Sequence, residues 1–403
     1  MVDGNPAANQ VRVQAGRFAL RPAVLLLAAS GPTTGTVVAD VRNADGSILS
    51  RAGRTFSYFS TNPSVASVDS NGVVTALRPP RDFGETPYVT AVLEGVQSTN
   101  AALVRVTTDT LRLTMVPMED RHVAFYLPQQ AIQGFDYRAI FTTWDATRVT
   151  ELAYQAMADL VGLRPFGGGI QFLVNDPGHG SDNTVPCGLT GNPVRLGTDI
   201  DRPVHNSCCI VAWGDGAPHF TVFFHETAHN FLDDNSRFGQ FLRGSPNSNW
   251  AYSEGLASNV AARAALTLQT RQAEWIIPQR VLDYIMPIYH LLTTPDLDAY
   301  VANGARYEQL NPSVVYDLML KGYQAAGPGF FRRFYAIFQP TYSALPGAPN
   351  SDREQATFFA AAVGAAANQD MRDRFKTQWG FPIVDAYYDT VYPQLLAAAN
   401  QVW

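Results

Sequence analysis

The chain has 403 residues, of which 46% are hydrophobic, and a formal net charge of −6 at pH 7. This length supplies material for two or three domains with buried cores, and the scattered Lys and Arg residues argue against a nucleic-acid surface. The longest apolar run, Ala23 to Ala29, is too short to cross a bilayer, so no transmembrane segment is expected.

Residues 10–108 are predicted to form an all-β module that includes this apolar run. Short runs of alternating or β-branched residues recur there, and turn residues such as Asn43–Gly46 and Asp69–Gly72 separate them. Strands at this spacing indicate a small sandwich. The predicted strands are Val11–Val13, Phe18–Leu20, Val37–Val41, Thr55–Phe59, Val65–Val68, Val73–Leu77, Tyr88–Leu93 and Leu103–Val106.

The stretch from Ser60 to Ala76 is similar to the signature of bacterial immunoglobulin-like domains of the invasin/intimin type. The resemblance covers nearly all of residues 10–108 and implies an immunoglobulin-like sandwich in an exported or surface protein. Tyr58 stands where that family often has Trp, a change expected to alter only core packing. We expect a spacer role in preference to a cell-surface or glycan contact through this module.

The region from residue 109 onward shifts to longer helical patterns. Asp145 is the predicted N-cap of a helix that runs through Val161, and Ile170 to Val174 is predicted to be a strand. Asp176 to Asp201 is predicted to be a loop. Its acidic residues could bind Ca²⁺, but they lack regular ligand spacing, so we expect solvated carboxylates in preference to a calcium site.

The three cysteines, Cys187, Cys208 and Cys209, leave two interpretations equally open. One disulfide could join Cys187 to either of the adjacent pair in an oxidising compartment. Alternatively, all three are small buried apolar residues.

The stretch Phe220 to Asn230 contains His-Glu-x-x-His. His225 and His229 are four residues apart, so a helix places them one turn apart on the same face. Two neutral imidazoles in that arrangement can bind one Zn²⁺, with Glu226 beside the open coordination position. No Pro or Gly interrupts Phe220 to Asp233, and His219 or Pro218 marks the expected start of the helix.

A catalytic zinc site needs a third protein ligand. Glu254 opens a second helical pattern, and it follows Trp250 and precedes Gly255. The alternative for Glu254 is an exposed carboxylate favoured by the dipole at a helix start.

These two segments together resemble the gluzincin class of zinc metallopeptidases. The resemblance implies that His225, His229 and Glu254 bind one zinc ion and that Glu226 is the general base. It also implies that a strand just before the first motif, here Cys208–Trp213, pairs with extended substrate. The Gly-x-Met-Glu-Asn stretch of gluzincin aminopeptidases is absent from the sequence, which favours an endopeptidase.

Many gluzincins use a downstream tyrosine or histidine to stabilise the transition state. Tyr316 is the expected residue, because its surroundings loosely resemble the Tyr-x-x-Gly helix of gluzincin aminopeptidases, with the glycine displaced to Gly322. Tyr307, Tyr323 and His290 are alternatives. A purely structural tyrosine is about equally compatible with the pattern at Tyr316.

The remaining histidines, His122, His179, His205 and His219, lack partner spacing and are expected in loops or at the surface. Further helices are predicted after the Glu254 segment. They span Gln279–Tyr289, Pro312–Ala326, Phe330–Phe338, Glu354–Ala367 and Asp370–Trp379.

A Phe-x-x-x-Trp-Gly-Phe segment, Phe375 to Phe381, is similar to the end of the catalytic region in enhancin-like, mucin-targeting gluzincins. Asn230, after the second histidine, also fits that group, whereas Ala228 replaces its usual glycine. This resemblance implies glycoprotein substrates. The alternative for the segment is helix packing through Phe375 and Trp379.

The predicted architecture is therefore multidomain. An immunoglobulin-like sandwich at residues 10–108 precedes an α+β zincin region at residues 109–403, with an upper part at 109–245 and a helical part at 246–403. The predicted function is that of a secreted or cell-surface zinc metalloendopeptidase acting on proteins or glycoproteins. The alternative is a surface adhesin or glycan-binding protein whose metallopeptidase-like domain is catalytically idle, and the intact Glu226 argues against it.

Overall fold

The computed structural model divides the chain into two compact units, Met1–Arg112 with Phe166–Gly168, and Leu113–Pro165 with Gly169–Trp403. Among the residues it describes, no helix is both long and apolar enough to cross a membrane. The described residues are 18–22, 24–28, 33–41, 53–78, 85, 87–93, 95–98, 101–107, 115–129, 131, 136–165, 169–176, 188–197, 216–286, 295–339 and 343–401.

The described residues of the first unit form short strands in three small sheets. One sheet pairs β1 with β4, a second has the order β2-β10-β8-β5 with β9 beside β8, and the third has the order β3-β7-β6. These strands are β1 Phe18–Arg21, β2 Val24–Ala28, β3 Thr34–Thr36, β4 Val38–Val41, β5 Phe56–Ser60, β6 Ala66–Val68, β7 Val73–Ala76, β8 Tyr88–Leu93, β9 Val96–Gln97 and β10 Ala102–Thr107.

The alternating pattern predicts this unit well. The predicted strand Tyr88–Leu93 has the bounds of β8, and its residues alternate between half-buried and buried. The apolar run at residues 23–29 contains β2, as expected for a strand of the β module. Tyr58 lies in the core with 8% of its surface exposed, and its hydroxyl accepts a 3.3 Å hydrogen bond from Ala39 N. The predicted strand Val11–Val13 lies outside the described residues.

A five-stranded mixed sheet with the order β11-β12-β13-β15-β14 organises the second unit. The parallel strands β12 and β13 are connected through a helix, α2, as parallel neighbours require. The edge strand β14 runs antiparallel to β15. These strands are β11 Met115–Glu119, β12 Val123–Pro128, β13 Ile170–Asp176, β14 Gly188–Leu189 and β15 Val194–Gly197.

The rest of the described second unit is mainly helical. The helices are α1 Tyr137–Thr143, α2 Ala146–Val161, α3 Phe220–Asp233, α4 Ser236–Phe241, α5 Pro246–Thr270, α6 Gln272–Trp275, α7 Gln279–Ile285, α8 Pro295–Ala302, α9 Pro312–Ala326, α10 Phe330–Ala336, α11 Asp352–Ala367 and α12 Asp385–Ala399.

Helix α2 has its predicted bounds, with Asp145 at the N-cap position. The Asp145 side chain accepts no capping hydrogen bond, because its backbone is left-handed with φ at 52°. Its carboxylate instead binds Arg148, with Nε 2.5 Å from Oδ2. Arg148 also donates to the carbonyl oxygens of Trp275 and Ile276, so the pair joins the start of α2 to the end of α6.

Helix α3 packs on the sheet through aromatic side chains. Phe223 lies 5.1 Å from Phe125 of β12 and 5.9 Å from Phe172 of β13, measured between ring centroids. Phe125 and Phe172 themselves stack at 4.3 Å. This fully buried group fixes which face of α3 turns toward the sheet and leaves another face for the histidines.

His122 lies in a loop, as expected, at the bend between β11 and β12, but it is buried and not at the surface. His122 directly precedes β12 and is only 9% exposed. Its backbone N and ring Nδ1 lie 2.7 and 2.6 Å from the two oxygens of Glu151 on α2. The ring also stacks on Tyr154 at 5.1 Å. The histidine is buried because a partner distant in sequence satisfies its polar groups.

The Phe375 to Phe381 segment contributes to the core, as the packing alternative predicted. Phe375, Trp379 and Phe381 are each at most 2% exposed. The predicted helix at Asp370–Trp379 is a short helical turn that includes a π-helix at Arg374–Gln378. Gly380 has φ at 64°, and a Cβ there would lie 1.8 Å from the carbonyl oxygen of Ala305, so this turn requires glycine.

Candidate metal centre

Helix α3 carries the His-Glu-x-x-His motif, and His219 caps its N-terminus. The Nδ1 atom of His219 accepts a 3.3 Å hydrogen bond from Val222 N, which satisfies one of the free N–H groups of the first turn. Burial lowers the pKa of His219, which favours the neutral ring that this acceptor role requires. The expected helix start is therefore confirmed.

Helix α5 supplies Glu254. Ser245 caps this helix by accepting from Ser248 N, and Pro246 occupies its first turn, as proline often does. Gly255 allows α9 to approach closely, because a Cβ at this position would lie 2.6 Å from the carbonyl oxygen of Pro312 and 2.7 Å from Val315 Cβ. Glu254 thus sits beside the tight contact between α5 and α9, which fixes its backbone.

The side chains of His225, His229 and Glu254 converge. His225 Nε2 lies 2.9 Å from Glu254 Oε2 and 3.1 Å from His229 Nε2, and His229 Nε2 lies 3.4 Å from Glu254 Oε1. Ligand atoms about 2.0–2.1 Å from a tetrahedral ion would be separated by about 3.3 Å. The arrangement therefore fits a single tetrahedral ion, and among the described residues it is the only such cluster of His, Cys, Asp or Glu.

The three groups form a strongly coupled electrostatic unit. Burial alone would raise the pKa of Glu254, but hydrogen bonds and positive charge from His225 and His229 outweigh it and hold the pKa well below the usual range. Burial would lower the pKa of His229, but the Glu254 carboxylate outweighs burial and raises it. The carboxylate is thus ionised at neutral pH, as a metal ligand must be.

The second nitrogen of each imidazole faces a serine of α5. Ser258 Oγ lies 3.4 Å from His225 Nδ1, and Ser253 Oγ lies 3.4 Å from His229 Nδ1. Nδ1–H donation to these hydroxyls favours the neutral tautomer in which Nε2, once it has lost its proton, can bind a metal. The sequence-based interpretation missed both serines. The sequence did contain a signal for them, because Ser253 directly precedes Glu254 and Ser258 follows it by one helical turn.

Glu226 lies between the two histidines in sequence, on an adjacent face of α3. Burial raises its pKa, and Glu254 and Asp233 act in the same direction, whereas His229 and His225 lower it. The side chains of His225 and Glu254 remain 23% and 33% exposed, so the cluster is accessible to solvent.

The tyrosines predicted as alternatives occupy different surroundings. Tyr316 lies half-buried on α9, and burial raises its pKa to about 12; Arg263 and Asp317 are the charged groups that act on it. Tyr307 is engaged with the hydroxyl of Tyr252 at 3.1 Å. Tyr323 stacks on Phe331 and lies under the Arg263 guanidinium. The role of Tyr316 in the reaction remains a prediction.

Several predicted features lie outside the described residues. They are the substrate strand Cys208–Trp213, the cysteine Cys187, the histidines His179, His205 and His290, and the loop acids Asp182, Asp199 and Asp201. In the described part of the mixed sheet, β14 is an edge strand, and it contacts α3.

No protein-family model matches the chain, and no curated protein matches it. Solved structures overlap with it at low identity. A functionally unknown conserved protein from Bacillus anthracis str. Ames is 13% identical with a TM-score of 0.43, and the alignment covers 81% of this chain and 62% of that one. A mutant of a functionally unknown conserved protein from the same strain is 12% identical with a TM-score of 0.42 and the same coverage.

A third structure, a metallopeptidase in complex with Tn antigen, is 11% identical with a TM-score of 0.43, and the alignment covers 88% of this chain and 69% of that one. The chain spans about three fifths of the length of the two Bacillus anthracis proteins. Overlap of this extent assigns neither a family nor an activity to the chain.

Proposed function

We propose that this protein is a metalloendopeptidase that uses one zinc ion, held by His225, His229 and Glu254, to hydrolyse peptide bonds in proteins or glycoproteins. The observation that carries the proposal is the convergence of two imidazole nitrogens and one carboxylate within 3.4 Å of one another. This donor set suits zinc with one position left open, as in catalytic zinc sites.

When bound, zinc supplies a Lewis acid that polarises the scissile carbonyl and lowers the pKa of a water molecule. The chain supplies the proton transfers. Glu226 accepts a proton from the attacking water and passes it to the leaving amine. The raised pKa of Glu226, caused by burial, supports this assignment, because a general base works best when its pKa approaches the working pH.

Tyr316 is the proposed hydrogen-bond donor to the oxyanion that develops on the carbonyl. A pKa of about 12 keeps its phenol protonated at neutral pH, as a donor must be. Tyr307 is the less suitable alternative, because its hydroxyl is already paired with that of Tyr252.

The architecture that we propose around this site is an immunoglobulin-like module, residues 10–108, that acts as a spacer for a zincin-type region, residues 109–403. The three-sheet β unit and the mixed sheet with its helices support this division. The protein would be secreted or held at the cell surface, where extracellular proteins or glycoproteins would be its substrates.

The test is cleavage of casein and of a mucin-type glycoprotein by zinc-loaded wild type, by Glu226→Gln and by Glu308→Gln. Glu308 is an exposed carboxylate on a turn and serves as the matched control. We expect wild-type zinc content in all three proteins, normal cleavage by the control, and loss of cleavage only in Glu226→Gln.

The outcome also separates the two predicted functions. The idle glycan-binding protein would be supported by a wild type that holds one zinc ion but cleaves neither protein. In that case the wild type and Glu226→Gln should also bind the mucin-type glycoprotein with equal affinity. Cleavage of the mucin-type glycoprotein but not of its deglycosylated form would make glycans part of the recognised substrate.

A further inference from the structure

Asn230, the residue after His229, binds one turn of the sheet through both polar atoms of its side-chain amide. It is fully buried. Its Oδ1 accepts from Gly191 N at 2.8 Å and from Thr190 Oγ1 at 2.9 Å, and its Nδ2 donates to the carbonyl oxygen of Gly191 at 2.9 Å. The side chain therefore pairs with both polar groups of Gly191, much as a neighbouring strand would.

The turn that Asn230 binds connects β14 to β15 and is also bonded to the sheet. Gly191 has φ at 129°, a conformation that favours glycine. The neighbouring Asn192 accepts from Gln171 N at 3.0 Å and donates to the carbonyl oxygen of Gly169 at 3.0 Å. Two asparagines thus join the turn to its surroundings, Asn192 toward β13 and Asn230 toward α3.

The helical position of Asn230 connects this turn to the candidate reaction centre. Asn230 is four residues after Glu226, so the two side chains lie on one face of α3, about 5–6 Å apart at Cβ. It also follows His229 directly. A shift of α3 relative to the turn would therefore move the candidate base and a candidate metal ligand together.

The close-packed aromatic contacts also constrain α3, but the hydrophobic effect itself has no directional preference. Hydrogen bonds do have one, since they weaken steeply away from linear geometry. The three bonds of Asn230 therefore add a directional restraint on the register of α3 against this turn.

We propose that Asn230 is a positioning residue that fixes α3 against the Thr190–Gly191 turn and so sets the placement of Glu226 and His229 for catalysis. This inference rests on the peptidase function proposed above.

The experiment compares Asn230→Ala, Thr190→Val and a control, Asn235→Ala, in the full chain. Asn235 is also buried, at 2% exposure, and accepts from Arg237 N and Phe238 N at the start of α4. It has no bond to the turn among the contacts described. Each protein is loaded with zinc for kinetics and with Co²⁺ for visible absorption, which reports the geometry of the ligands.

We expect Asn230→Ala to keep one metal ion per chain, to lose kcat about ten- to a hundredfold with little change in KM, and to show a shifted cobalt spectrum. Thr190→Val, which loses one of the three bonds together with the 3.5 Å contact of the Thr190 hydroxyl with Asp233, should change in the same direction by a smaller factor. Asn235→Ala should lose stability and keep wild-type kcat and spectrum.

The inference is overturned if folded Asn230→Ala has wild-type kcat and spectrum, or if Asn235→Ala loses kcat to the same extent. If Asn230→Ala does not fold, Thr190→Val decides, and a wild-type kcat and spectrum in that variant would overturn the inference. A wild type that binds no Co²⁺ and cleaves no protein would overturn the proposed function, and this inference with it.

Discussion

The hydroxyl of Ser258 lies 3.4 Å from Nδ1 of His225, one helical turn after Glu254 on the same helix. Helix α5 therefore provides both a candidate ligand and a group that orients a second ligand. Ser253 has the same relation to His229 at 3.4 Å. Outer partners of this kind hold an imidazole in the tautomer that binds metal.

Replacing Ser258 with Ala should weaken zinc binding by about tenfold, because loss of such a partner typically costs ten- to a hundredfold in metal affinity. The measurement is competition with a coloured chelator. Thr267→Ala is the control on the same helix, since the Thr267 hydroxyl donates to the carbonyl oxygen of Arg263. Equal zinc affinity in Ser258→Ala and wild type would show that the hydroxyl does not orient His225.

The buried pair of His122 and Glu151 should stabilise the second unit. Glu151 also accepts from Gln155 Nε2 at 2.9 Å, so its carboxylate satisfies three donors at once. Replacing Glu151 with Ala leaves these donors without their acceptor and should lower the free energy of unfolding by about 3 kcal/mol. Urea unfolding measures this change.

The matched control for that substitution is Glu274→Ala, which removes an exposed partner of Arg271. It should leave the unfolding midpoint unchanged, because exposed ion pairs contribute little. An equal midpoint shift in both variants would mean that burial of the His122–Glu151 pair adds nothing to stability.

Asp317 should make the stability of the second unit depend on pH. Its carboxylate accepts from Leu297 N at 2.9 Å, and burial raises its pKa from 3.8 to about 6, with Asp296 acting in the same direction. Because the folded state holds this proton more tightly than the unfolded state, the stability present below pH 3.8 is lost as the pH rises through about 6.

Replacing Asp317 with Asn should remove that dependence while keeping an acceptor for Leu297 N. Between about pH 4 and pH 7 the wild type should lose at most about 3 kcal/mol more than the variant, since one pKa unit corresponds to about 1.4 kcal/mol. Thermal unfolding across this range measures the difference. Parallel curves for the two proteins would contradict the prediction.

Trp250 precedes Glu254 by one helical turn and remains 52% exposed. Residues four apart share a helix face, so this exposed indole lies on the same face of α5 as Glu254. Trp250→Ala should raise KM for protein substrates several-fold and leave kcat nearly unchanged. Ile276→Ala, at an exposed apolar residue on another helix end, is the control. A KM unchanged by Trp250→Ala would exclude substrate contact.

Local signals explain which elements the sequence predicts. Helix α9 has the predicted bounds Pro312–Ala326, because Asn311 caps it, Pro312 starts it and Gly327 ends it. Helix α12, Asp385–Ala399, was not predicted. Pro393 lies within it, and its N-cap Val384 makes no side-chain capping bond, so its sequence lacks the usual signals and packing against α11 sustains the helix.

The features of the candidate site also differ in whether the sequence alone predicts them. The spacing of His225 and His229 is a local signal, and Glu254 follows from resemblance to a known motif. The contacts of Asn230 with Gly191 and of His122 with Glu151 join residues 39 and 29 positions apart, and nothing in the local sequence specifies them. Tertiary packing creates these relationships, so only the structure identifies them.

The most direct test of the central claim is the zinc content of the full-length wild type and of His229→Ala, measured by native mass spectrometry after dialysis against trace zinc. The convergence of His225, His229 and Glu254 predicts one zinc ion per wild-type chain and loss of that ion in the variant. A wild type without zinc, or a His229→Ala variant that retains it, would contradict the assignment of this cluster as the metal site.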